Sequence, residues 1–108
     1  MNTGPKPPAA YEAFIKRFPK LGEAWEKIGE AGRQGPLDAK TTRLIKLAVA
    51  IGAMREGAVH SGVRKAVAAG ISTDEIEQVV ALAAGTLGMP STVAVFSWVR
   101  DELDSRSD

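Results

Sequence analysis

Apolar residues recur along most of the chain at the three- and four-residue spacing that is typical of amphipathic helices, with no competing strand-like alternation. Two short helices are predicted first, on the apolar positions Tyr11, Phe14, Ile15 and Phe18, and then Leu21, Trp25 and Ile28. Pro19 is predicted to end the first helix, because a residue that precedes proline disfavours helical geometry. The second is predicted to end in the loop from Gly32 to Pro36. The pattern therefore predicts an all-α protein.

A long third helix is predicted after Asp38, a residue type that caps helices well. Its apolar stripe consists of Leu44, Leu47, Ala48 and Ile51. Lys46 is the only charged residue between positions 44 and 54, so this helix is predicted to lie in the middle of a bundle or in a subunit interface. Glycine weakens helical propensity, and a break is predicted between Met54 and Gly57.

The remaining helices have clear boundary signals. The fourth is predicted to run to Ala69, with Gly70 as its left-handed C-terminal cap. The segment from Ser72 to Glu75 has the pattern of a capping box, which starts a fifth helix. A further break is predicted over Gly85, Gly88 and Pro90, and the last helix carries the apolar positions Val93, Phe96, Trp98, Val99 and Leu103. The sum is a small bundle of about five to six helices.

The length of 108 residues fits one domain. Residues 1–9, which contain three prolines, are predicted to form a flexible tail, residues 10–104 a single helical domain, and residues 105–108 a frayed C-terminus. Apolar residues make up 44% of the chain, which is more helix surface than one small core can cover. A homo-oligomer is therefore predicted.

Charge and cysteine content exclude several function classes. The net charge is +1, from 14 basic and 13 acidic residues spread evenly, so neither nucleic acid nor an anionic membrane is expected as a partner. No apolar run is long enough for a membrane span or a signal peptide, and a soluble cytoplasmic protein is expected. The chain has no cysteine, which excludes thiolate catalysis and thiolate-bound metals.

The candidate chemistry lies around His60, the only histidine. Glu56 precedes it by four residues, so the two share one face of a helix. A carboxylate beside an imidazole can set its tautomer and assist proton transfer near neutral pH. Glu56 and His60 are therefore predicted as a catalytic acid/base pair that needs no cofactor. Ser61 and Arg64 are predicted to bind the substrate, Arg64 through a substrate carboxylate.

Simpler interpretations of the same residues remain open. Glu56, His60 and Arg64 could form an exposed ladder of ion pairs, worth about 0.3 to 0.5 kcal/mol per pair. A metal site would need ligands from elsewhere, since one histidine and one carboxylate fall short of the usual three or four, and none is predicted. The basic pair Arg64 and Lys65 is interpreted as a solvated face.

Several short segments occur in a recognisable order: Leu44–Ala50, Glu56–Gly57, Arg64–Ala66, Gly70, Thr73–Ile76 and Gly88–Pro90. Their order and spacing resemble the carboxymuconolactone decarboxylase family, which includes the alkyl hydroperoxidase D-like proteins. The resemblance covers about Asp38 to Trp98. It implies an all-helical fold whose subunits form trimers, hexamers or related rings, with sites at or near subunit contacts.

The resemblance also shows what this chain lacks. Redox members of the family carry a Cys-x-x-Cys-x-x-x-His motif, and the matching positions here are Arg55, Ala58 and Gly62, with Arg43 at an upstream acidic position. Without a thiolate nucleophile and a resolving thiol, peroxide reduction through a disulfide is excluded.

The decarboxylase members of the family are similar in carrying a glutamate that matches Glu56. Their histidine matches Gly62, whereas His60 lies about 200° away around a helix and cannot simply inherit that role. Two hypotheses follow. The protein is a cofactor-independent acid/base enzyme acting on a small carboxylated or lactone substrate, or it is a non-catalytic oligomeric scaffold or small-molecule-binding member of the family.

Overall fold

The computed structural model describes residues 9–105, and all the regular structure in that range is helical. The helices are α1 (Ala9–Arg17), α2 (Pro19–Arg33), α3 (Ala39–Gly52), α4 (Glu56–Ala68), α5 (Thr73–Leu87) and α6 (Met89–Ser105). The predicted all-α class is confirmed. The predicted tail falls almost wholly on residues 1–8, and most of the predicted frayed end on residues 106–108, which lie outside the described range.

Local signals set most of the helix starts. The side chain of Asp38 accepts a hydrogen bond of 2.7 Å from the backbone N–H of Thr41, which confirms it as the cap of α3. Ser72 and Glu75 form the predicted capping box, each side chain accepting from the other residue's backbone N–H at 3.1 Å. α2 starts at Pro19 itself, because proline suits the first helical turn, where its missing N–H is not needed.

The break predicted before the last helix is narrower in the structure and falls at Gly88. Gly70 adopts a φ of 84° and ends the turn after α4 as expected. Gly85, in contrast, lies inside α5, which continues to Leu87 before Gly88 turns the chain with a φ of 82°. A glycine within a helix costs only about 1 kcal/mol relative to alanine, which the surrounding turns of α5 tolerate. Pro90 lies in the first turn of α6 rather than in a loop.

The chain divides between Leu37 and Asp38 into two compact groups of helices. In the first group α1 contacts α2, and neither helix has a fully buried residue. The rings of Phe14 and Phe18 lie 5.4 Å apart between centroids. This group therefore presents much of its apolar surface.

The second group contains α3 to α6 and the hydrophobic core. α3 packs on α4 and α5, and α6 packs on the same two helices. The fully buried large side chains are Leu47, Ile51, Val59, Val63, Ile76, Val95 and Val99. The predicted central position of α3 holds for the side that carries Leu47 and Ile51. On its other side Ile45 and Val49 remain exposed.

α3 and α4 approach each other closely at Gly62. A Cβ at this position would lie 3.1 Å from Cδ1 and 3.8 Å from Cα of Leu47, so a hydrogen is what fits without displacement. None of the helices in residues 9–105 combines the length and the apolar character needed to cross a membrane.

Candidate acid–base site

Four charged or titratable side chains meet where α4 packs on α6. The imidazole of His60 lies between two carboxylates, with Nδ1 2.7 Å from Oε2 of Glu102 and Nε2 3.2 Å from Oε2 of Glu56. The guanidinium of Arg64 lies 3.1 Å from the same Glu102 oxygen. Glu102 therefore holds two cationic or protonatable groups of α4 at once.

The packing of the two helices explains this arrangement. On α4 the buried residues Val59 and Val63 each precede a site residue by one position, so His60 and Arg64 lie at the border of the buried face. On α6 Glu102 directly precedes the buried Leu103. When the buried faces of α4 and α6 pack together, the edges of the two faces meet. This packing places Glu102 beside His60 and Arg64.

Burial differs across the cluster. The side chains of His60 and Glu102 are 19% and 17% exposed, whereas Glu56 is 60% exposed. Burial alone would raise the pKa of Glu102, but hydrogen bonds and charge from His60 and Arg64 outweigh it and lower the pKa below its usual value. Glu102 is thus a permanent anion at neutral pH on the inner side of the imidazole.

This geometry gives the two ring nitrogens different environments. A protonated ring donates to both carboxylates, and a neutral ring with its proton on Nδ1 keeps the bond to Glu102 while Nε2 is free to accept. Since Glu56 is the more exposed carboxylate, Nε2 faces the outer side of the site. The arrangement suits a histidine that is oriented through Nδ1 and exchanges a proton through Nε2.

The structure brings together three of the four predicted site residues. Glu56, His60 and Arg64 share one flank of α4, and Arg64 is already engaged with Glu102. Ser61 is half-buried and lies about 100° around the helix from His60, on the side that carries Lys65 one turn later. It is therefore not part of this cluster.

Glu102 was missed by sequence reasoning. It lies 42 positions after His60, and no short motif links the two. The available signal was weak: an acidic residue three positions after the apolar Val99 and one before the apolar Leu103, at the edge of a helical stripe.

The described residues form no metal site, but they do enclose a cavity. Among residues 9–105 no group of three or more histidine, aspartate or glutamate side chains is arranged to hold a metal ion. A cavity of about 510 Å³ lies between α3 and α5, away from the His60 cluster. Its lining is mainly apolar, and the residues are Thr41, Leu44, Ile45, Ala48, Gly52, Glu75, Gln78, Val79, Leu82, Ala83, Thr86 and Leu87.

Comparison with known proteins places the chain in a family. The sequence profile of the carboxymuconolactone decarboxylase family matches residues 19–101, which include all of α2 to α5 and most of α6. Neither the curated proteins nor the solved structures gave a significant match. Because the family profile spans most of the chain, this protein belongs to the carboxymuconolactone decarboxylase family.

Proposed function

We propose that this protein is a cofactor-independent acid–base enzyme that acts on a small carboxylated or lactone substrate. The observation that carries the proposal is the 2.7 Å contact between Nδ1 of His60 and Glu102. It fixes the ring orientation and leaves Nε2 toward the exposed side, which is the arrangement of a histidine that transfers protons.

Each residue has a distinct role in this proposal. His60 exchanges the proton through Nε2, and Glu102 is a positioning residue that orients the ring. Glu56 is the mobile partner, because its exposed side chain can exchange a proton with Nε2 and move aside for the substrate. Arg64 uses one N–H toward Glu102 and has further donors for a substrate carboxylate. Ser61 is proposed to contact a more distant part of the substrate.

A decarboxylation fits these roles. As the bond between the substrate carbon and its carboxylate breaks, carbon dioxide leaves and the electron pair remains on the carbon, delocalised into the neighbouring carbonyl. The imidazolium of His60 then supplies the proton that forms the new C–H bond. The neutral ring recovers a proton from water through Nε2, and Glu102 keeps the ring in place throughout.

The test combines turnover with ligand binding. Small lactones and carboxylic acids are screened for saturable turnover, and the ring signals of His60, the only histidine, are followed by NMR during each titration. We expect one compound class to move these signals and to be turned over. His60→Gln is expected to abolish turnover and Glu102→Gln to lower kcat, both with helical content retained.

Glu77→Gln is the matched control. Like Glu102, Glu77 pairs with an arginine of a neighbouring helix, in its case Arg100, but it lies outside the cluster. It is expected to leave turnover unchanged. Turnover that survives in His60→Gln would overturn the proposal.

A second candidate function is a non-catalytic oligomeric scaffold or small-molecule-binding protein. It is supported by the cavity between α3 and α5 and by the exposed apolar side chains of Ile45 and Leu82 that line it. A trimer or hexamer would cover such surface. Ligand saturation or self-association without turnover for any compound tested would favour this candidate.

A further inference from the structure

A group of cations lies on the flank of α4 that faces away from His60. Arg43 and Lys46 are one turn apart on α3, and Lys65 follows Gly62 by one turn on α4. The three-residue connection between the helices makes α3 and α4 run in opposite directions. Since Gly62 contacts Leu47, Lys65 falls opposite position 44, between the levels of Arg43 and Lys46.

These cations differ from Lys40, Arg64 and Arg100 of the second helix group, which all have carboxylate partners. Ion pairs join Lys40 to Glu75, Arg64 to Glu102, and Arg100 to both Glu77 and Asp104. Within residues 9–105, in contrast, no ion pair involves Arg43, Lys46 or Lys65. Three basic side chains thus converge without a carboxylate from the described part of the chain to balance them.

The cations also repel one another. Burial, together with the positive charges of Arg43, Lys46 and Arg64, lowers the pKa of Lys65 from its usual value. Arg43 is half-buried. A cluster of this kind opposes folding in the absence of an anion.

Small residues continue the two basic edges of α3 and α4 toward the connection between the helices. Ala50 continues the Arg43–Lys46 side of α3, while Ala58 and Ser61 precede Lys65 on the same side of α4. These neighbours carry no charge, so they add no carboxylate partner beside the three cations.

We propose that Arg43, Lys46 and Lys65 form a binding site for the phosphate group of a small phosphate monoester. A phosphate monoester carries nearly two negative charges and three terminal oxygens, which matches three donors that converge on one place. The guanidinium binds two oxygens side by side, and the ammonium groups act as point charges. A dicarboxylate would divide its charge between two places.

The experiment is an NMR titration of the full-length protein at constant ionic strength. Glycerol phosphate, inorganic phosphate, succinate and a single-stranded oligonucleotide are added separately, and backbone amide shifts are measured. We expect saturable shifts centred on residues 43–50 and 58–65 with glycerol phosphate, weaker ones with inorganic phosphate and succinate, and competition between the monoester and any bound oligonucleotide. Lys65→Gln is expected to weaken monoester binding at least tenfold.

Lys27→Gln is the control, because Lys27 is highly exposed on α2. It should leave the binding constant unchanged. A second readout is thermal unfolding: Lys65→Gln should raise the Tm without ligand, and the monoester should raise the Tm of the wild type more than that of the variant. Equal binding in Lys65→Gln, shifts that track ionic strength alone, or oligonucleotide binding that the monoester does not displace would each overturn the proposal.

Discussion

Nδ1 of His60 lies 2.7 Å from Oε2 of Glu102, and this contact joins α4 to α6 across 42 positions of sequence. It converts a histidine on a helix surface into an oriented group with one inner and one outer nitrogen. Arg64 binds the same carboxylate and helps to keep the pKa of Glu102 low. The group that orients the ring is therefore charged at neutral pH.

Replacement of Glu102 by glutamine is expected to destabilise the protein at pH 7 by about 1.5 to 3 kcal/mol, the range for hydrogen bonds that involve charged groups. The pKa of Glu102 is lowered in the folded state, so its stabilisation is fully present above the unfolded value of 4.5 and is lost as the pH falls through the folded value. Urea unfolding of wild type and variant from pH 7 to 3 measures this, and the two curves should converge at the acid end.

Asp101→Asn is the control for that comparison, because Asp101 is the exposed neighbour of Glu102 on α6. It should lower stability at pH 7 much less than the Glu102 change. A constant difference between wild type and Glu102→Gln at every pH would show that charge is not what stabilises the contact.

Glu75 gives a second acid-dependent contribution. Its bond with Lys40, followed by its hydrogen bonds with Ser72, lowers its pKa from 4.5 to about 2. The stabilisation is therefore present above pH 4.5 and is lost as the pH falls toward about 2. We expect the Tm of Glu75→Gln to be lower than that of the wild type at pH 6 and to fall less steeply between pH 4.5 and 2.

A partial variant separates the two causes of that shift. Lys40→Met removes the ion pair but keeps the capping box, so its pH profile should lie between those of wild type and Glu75→Gln. If Lys40→Met has the wild-type profile, the capping box rather than the ion pair controls Glu75.

Gly62→Ala is expected to destabilise the fold by about 1 to 3 kcal/mol. Alanine favours a helix over glycine by about 1 kcal/mol, but the added Cβ would lie 3.1 Å from Cδ1 of the fully buried Leu47 and overpack the core. Gly85→Ala is the matched control, because a Cβ there meets no atom within 4 Å, and it should stabilise. Chemical denaturation of both variants decides the point, and stabilisation by Gly62→Ala would contradict the close packing of α3 on α4.

The proposed homo-oligomer leads to a prediction for Leu82, which is 73% exposed and lines the cavity between α3 and α5. Leu82→Lys should leave helical content unchanged and shift sedimentation toward smaller species, since a charge would be buried in the contact. Leu37→Lys changes an exposed leucine outside the helices and should not alter sedimentation. If Leu82→Lys assembles as the wild type does, the cavity between α3 and α5 is not part of an oligomer interface.

Features made by residues close in sequence were determined by the sequence itself. Asp38 caps α3 through Thr41, and Ser72 caps α5 through Glu75, each over three positions, so the pattern alone was enough. The pairing of Glu56 with His60 follows from helical spacing in the same way. The break predicted over Gly85, Gly88 and Pro90 is confirmed at Gly88, whereas Gly85 lies inside α5, because the tolerance of a helix for one glycine depends on how its neighbouring turns pack.

Only the tertiary structure decided the partners of these local features. Glu102 reaches His60 because the buried faces of α4 and α6 pack together. Position 62 suits glycine because Leu47 occupies the space that a side chain there would need. The charge around Lys65 likewise depends on the register between α3 and α4. Sequence periodicity indicates which side of a helix is buried, but not which helix covers it, and the His60 cluster lies at the edge of two such covered faces.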